Sequence, residues 1–208
     1  MTPQPAAAAG PVRGPEPGPR GPLSWLWQLQ ARIEQLVDAI GHATVWIALA
    51  MIALVATNVL LRYLFSIGSV WAQELEWHLL AALILLGMSY ALQRGDNVRV
   101  DLFYAGYSRR RKFMVDVTSA VLTMLIAALF VKLSLAYVAQ SYSISEGSPD
   151  PGGIPLRWIV KSLIPLGYGL LVLQALAELL RVVQVYRNGP PAIVEKVNEQ
   201  VTEQAPHV

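Results

Sequence analysis

The chain has 208 residues, of which 54% are hydrophobic and only 14% charged, against roughly a quarter charged in an ordinary soluble domain. A formal charge of +2 leaves no electrostatic footprint for nucleic acid, and the absence of cysteine excludes disulfides, thiol catalysis and thiolate metal sites. The apolar surplus is gathered into segments close to the length of a bilayer span, which makes the class an integral membrane protein.

Residues 1–22 contain seven prolines and four glycines, a composition that cannot offset chain entropy and predicts a disordered tail. No apolar core follows within the first twenty-odd residues, so a cleavable signal peptide is not expected. From Leu23 to Asp38, apolar Leu26, Leu29, Ile33, Leu36 and Val37 recur at helical spacing, with polar Gln28, Gln30, Arg32, Glu34 and Gln35 largely elsewhere on the wheel. This predicts an amphipathic helix over 23–39, either lying at the membrane surface or extending the first span.

Between Asp38 and Arg62 lie twenty-three residues without a charged side chain, enough for one span. Further spans are predicted over 71–92, 113–139 and 158–183, the first being placed at 40–64. The fold class is therefore all-α: an integral membrane protein with four transmembrane helices, preceded by the amphipathic segment and followed by a C-terminal tail over 185–208. Lysines and arginines of the short loops set direction. Arg94, Arg99, Arg109, Arg110, Arg111 and Lys112 fall in the middle loop, with three more basic residues before the first span and three after the fourth. Only Arg62 and Arg157 lie in the other two connections, a ratio of twelve to two. Both termini and the middle loop are predicted to be cytoplasmic.

Glu74, Glu76 and His78 make the second span acidic at its outer end. Intramembrane carboxylates can relay protons or bind cations. Trp71 and Trp77, however, mark the headgroup belt, and the simpler expectation is that Glu74 pairs with Arg62 across the short loop. Asn58, polar within the first span, calls for a partner on another helix. Gly87 and Ala91 form a small-xxx-small face suited to close helix contact. Pro165, with Gly167 and Gly169, predicts a kink in the fourth span. The loop before it, GSPDPGGIPLRW, is turn-rich. His42 and His78 differ in depth by roughly 15 Å, too far for one haem iron. No nucleophile triad, metal-ligand spacing or phosphate-cradling loop is present, so no enzymatic activity is expected.

Asn58, Arg62 and Tyr63, then Trp71 and Glu74, then GMSYALQRGDNVRVDLFY together resemble the DctQ-type small membrane subunit of tripartite ATP-independent periplasmic (TRAP) transporters. The most specific stretch runs from Gly87 through Arg94 and Arg99 to Asp101. The run SPDPGGIPLRW, with the helix after it, is similar to the branch labelled for mannitol, chloroaromatic compounds or 2-oxo acids. Many members carry histidine where this chain has Asn97, which removes a titratable group there. The resemblance implies a non-catalytic scaffold subunit in the bacterial inner membrane, embedded in lipid. Its implied partners are a large DctM-type membrane subunit and a soluble periplasmic solute-binding protein. The system would import an organic acid or related solute. No cofactor is implied for this chain, since sodium coupling would reside in the large subunit. The second helix, through Gly87 and Ala91, is the expected contact with that subunit. A different class of function, a self-sufficient small transporter or channel using Glu74 or Glu76, would require transport by this chain alone.

Overall fold

The computed structural model describes residues 24–95, 104 and 106–188. The tails at 1–22 and 189–208, and the expectations attached to them, lie outside the described residues, as do Asn97, Arg99 and Asp101. Among the described residues four long helices are formed: α1 Ser24–Phe65, α2 Val70–Arg94, α3 Arg109–Ser143 and α4 Trp158–Asn188. Each is long and apolar enough to cross a membrane, and the described residues include no strand.

The separate amphipathic helix expected over 23–39 is absent as an element of its own. Ser24 to Asp38 is the opening part of α1, which runs unbroken for 42 residues, about 63 Å at ~1.5 Å per residue. No proline interrupts it. Of the apolar stripe of its first turns, Ile33 and Val37 are buried in a cluster with Ala177 of α4, flanked by Tyr90 and Leu176, whereas Leu29 and Leu36 are exposed. Gly41 admits this packing: a Cβ there would lie 2.8 Å from the Cβ of Tyr90.

Helix α2 is closed at both ends by its own sequence. The Ser69 hydroxyl accepts a hydrogen bond from the Ala72 amide at 3.3 Å, a standard N-cap. At the other end Gly95 takes the left-handed conformation, φ 74°, and turns its N–H back onto the carbonyls of Ala91 and Leu92.

Two antiparallel hairpins result. In the first, Asn58 meets Glu76 near one end and Asp38 meets Arg94 near the other. In the second, Tyr142 meets Trp158, Phe130 stacks on Tyr168 at 4.7 Å, and Phe113 stacks on Tyr186 at 4.1 Å. One end of the bundle, the hairpin end, holds the 66–69 and 144–157 connections. The opposite end holds the start of α1 and the end of α4.

Helix α4 is the centre of the bundle. It packs against α1, α2 and α3, whereas α3 packs along α4. In the apolar window of α4, 22% of residues are buried, against 6% in α1 and α2 and 11% in α3. The buried residues of α3 are Ala120, Ala127, Ser134 and Ser141, spaced by sevens. That period is the seam of a left-handed helix pair, and its small side chains let the two backbones approach. Large apolar residues such as Leu125, Leu129 and Leu133 are exposed, as a lipid-facing surface requires.

Candidate functional site

The chemistry-bearing residues converge at the hairpin end, around Glu74. This residue lies one turn into α2 and is 4% exposed. Its carboxylate does not pair with Arg62, as the sequence led us to expect. Arg62 is exposed at the end of α1, and the donors to Glu74 come instead from the 144–157 loop. Ser148 Oγ donates to Oε1 at 2.5 Å, the Ile154 amide donates to Oε2 at 2.5 Å, and Arg157 reaches Oε1 at 3.4 Å. The physical reason is the number and kind of donors. A backbone amide, a hydroxyl and a guanidinium together satisfy both oxygens of a buried carboxylate, which a single flexible arginine cannot do.

The loop is shaped to reach that position. Ser148 Oγ also accepts the Asp150 amide at 3.1 Å, and the Gly153 amide returns to the Asp150 carbonyl at 3.0 Å. Gly153 passes so close to Glu74 that a Cβ would sit 2.7 Å from Oε2, so only glycine fits without displacement. Arg157 is held from two further sides. Its amide donates to the Glu146 carbonyl at 2.9 Å, and its guanidinium lies 5.5 Å over the Trp77 ring.

Beside this strap, Glu146 and Lys161 form an ion pair, and the Lys161 ammonium also lies 4.0 Å from the centre of the Tyr137 ring. The hydrogen bond from Lys161 holds the Glu146 carboxyl below the usual carboxylate range.

Asn58 Nδ2 donates to Glu76 Oε1 at 2.9 Å, linking α1 to α2 where the expected Arg62–Glu74 pair would have done so. His78 places Nδ1 2.6 Å from the Glu74 carbonyl oxygen and its ring against Trp77, centroids 3.9 Å apart. His42 contacts Tyr90, twelve positions further along α2, so the two histidines are separated by about 18 Å of helix. Among the described residues no three metal-ligating side chains come together.

The remaining predicted residues are dispersed. Trp71 is half exposed at the start of α2. Arg94 binds Asp38 at 2.8 Å at the far end of the same helix and covers the Tyr90 ring. Gly87 faces open space, with no atom within 4 Å of where a Cβ would stand, and Ala91 is half-buried on the same helix. Pro165 lies inside α4 without ending it. The close approach nearby belongs to Gly167, where a Cβ would come within 2.5 Å of the Leu85 carbonyl oxygen.

Sequence reasoning did not single out Ser148, Gly153, Ile154, Glu146 or Asp38. One signal pointed toward the strap: Arg157 is the only cation of the 144–157 loop, and a buried carboxylate on the same side needs one.

A helical membrane protein of four spans, whose ionic groups gather at the two ends of the bundle, is the class these features define. The chain belongs to the DctQ family: the family model described as "Tripartite ATP-independent periplasmic transporters, DctQ component" matches residues 51–185. It is thus a component of a TRAP transporter in the inner membrane. No curated protein and no solved structure matches the chain.

Proposed function

We propose that this chain is the small, non-catalytic scaffold subunit of a TRAP transporter that imports an organic acid or related solute by sodium-coupled secondary transport. Membership in the DctQ family carries the reading. The large membrane subunit holds solute and sodium, and a soluble periplasmic protein delivers the solute. In this arrangement both termini face the cytoplasm and the hairpin end faces the periplasm, in keeping with the twelve-to-two distribution of basic loop residues. The contacts of Glu74 favour a scaffold over a coupling acid, because loop donors occupy both of its oxygens.

Reconstitution in proteoliposomes tests the reading. The chain alone is expected to give no solute uptake, whereas the chain with its large partner and binding protein takes up solute along a sodium gradient. Uptake by the chain alone, or failure of the large subunit to co-purify with it, would refute the assignment.

A further inference from the structure

We propose that Arg110 and Arg111, at the start of α3, hold the headgroup of an anionic phospholipid whose chains lie along the exposed stripe of the same helix. The proposal needs only that the chain spans a membrane, and it goes beyond the subunit reading.

Charge comes first. Four basic residues in succession, Arg109 to Lys112, open α3, and the outer two are engaged within the protein. Arg109 donates from Nη2 to the Tyr186 carbonyl oxygen at 2.8 Å, at the end of α4. Lys112 places its ammonium 5.2 Å from the centre of the Tyr104 ring. Elsewhere at this end Arg94 is paired with Asp38 and Arg181 with Glu178. Arg110 and Arg111 are exposed, and neither has an ion pair, hydrogen bond or ring contact among the described residues. The one acid of α3, Asp116, is half-buried and accepts from the Tyr104 hydroxyl at 2.7 Å. Two adjacent guanidinia are thus left without a counter-charge, and phosphate oxygens match their donor geometry.

Direction comes next. Helix α3 buries Ala120, Ala127, Ser134 and Ser141. Nine residues are about two and a half turns, so Arg111 stands on the side of α3 opposite Ala120. Leu129, nine residues beyond Ala120, stands on that side too, together with Leu122 and Leu125, and all three leucines are more than half exposed. Apolar exposure begins at Met114 and Val115, about one turn from the arginines, which puts the guanidinia where hydrocarbon gives way to headgroups. From Arg111 to Leu122 is about 16 Å along the helix, close to half of a ~30 Å hydrocarbon core and so to one leaflet.

This order of groups selects the occupant. A free phosphate answers the guanidinia and leaves the leucines. A protein would have to bring carboxylates and a matched apolar face in one partner. A phospholipid presents phosphate and acyl chain in this order by construction. An anionic headgroup keeps its negative charge for the arginines, whereas a zwitterionic one carries its own cation. Basic clusters at the end of a span recognise anionic headgroups in this way.

The test is native mass spectrometry of the purified full chain in detergent, titrated with phosphatidylglycerol and, separately, with phosphatidylcholine. The double variant Arg110→Gln/Arg111→Gln is expected to weaken phosphatidylglycerol binding roughly tenfold and to leave phosphatidylcholine binding as it was. Its melting temperature without lipid should not change, since neither side chain has a partner in the chain. Arg62→Gln, an exposed cation at the other end of the bundle, is expected to bind phosphatidylglycerol like the unaltered chain. Equal affinity in the double variant and the unaltered chain would overturn the proposal, as would an equal loss in Arg62→Gln. Displacement of the lipid by inorganic phosphate would reduce the site to one for small anions and overturn it too. Loss of the large subunit from the double variant, with lipid affinity unchanged, would assign the face to protein instead. Because the titration uses this chain alone, failure of the subunit reading leaves its outcome unaffected.

Discussion

Asn58 and Glu76 illustrate how single polar groups are settled inside these helices. An amide within an apolar span needs a partner because the surrounding hydrocarbon supplies none, and Asn58 finds one on α2 at 2.9 Å. Asn58→Leu removes the donor and leaves Glu76 without it. Thermal unfolding in detergent is expected to show a loss of about 0.5–2 kcal/mol, the range for interhelical hydrogen bonds in membranes. Glu146 gives a pH prediction whose sign follows from its partner. Because Lys161 lowers its folded-state pKa, the stabilisation is present above the ordinary carboxylate value and is lost as pH falls through the lower folded value. Protection of the amides over 144–157, measured against their intrinsic exchange rate at each pH, should therefore be constant from neutrality down to about pH 5 and fall only below roughly pH 4. A loss of protection between pH 7 and 5 would contradict the pair. The need of Asn58 for a partner was legible in the sequence, but the partner was not. The donors to Glu74 lie 74 to 83 positions away, and no local periodicity reports contacts at that separation.

At the scale of elements, the four spans were readable because each depends on composition over some twenty residues, the property that hydropathy measures best. What composition could not show was where α1 begins. An amphipathic stripe looks the same whether lipid or protein covers it, and here Ala177, Tyr90 and Leu176 cover its Ile33 and Val37. The Pro165 region was similarly half legible. Its glycines announced a local departure from ordinary packing, yet the function of Gly167 is to bring α4 against the backbone of α2. Gly167→Ala is expected to destabilise the chain by about 1–3 kcal/mol, the usual effect of overpacking a tight contact. Leu129→Ala, on an exposed position of α3, should change stability by less than about 0.5 kcal/mol. Thermal melts of the two variants side by side would check both values, and equal melting temperatures would remove Gly167 from its assigned place.

For the whole molecule, large apolar side chains lie exposed on each of the four helices, and α2 leaves open space at Gly87. A Cβ at Gly87 would meet no other part of the chain within 4 Å, so a side chain there starts out into open space. Gly87→Leu is accordingly expected to leave the melting temperature of the isolated chain unchanged while reducing recovery of the large subunit in co-purification. Full recovery would place the docking face elsewhere.

Two of the contacts that join the two hairpins lie at different heights. Gly167 sets α4 against α2 within the spans, and the Glu74 strap ties α2 to the 144–157 connection above them. A single fastening would act as a pivot about which one hairpin could swing past the other. Two fastenings at different levels make a braced frame, in which a sideways load on the outer loop is carried down both α2 and α4 without tilting either.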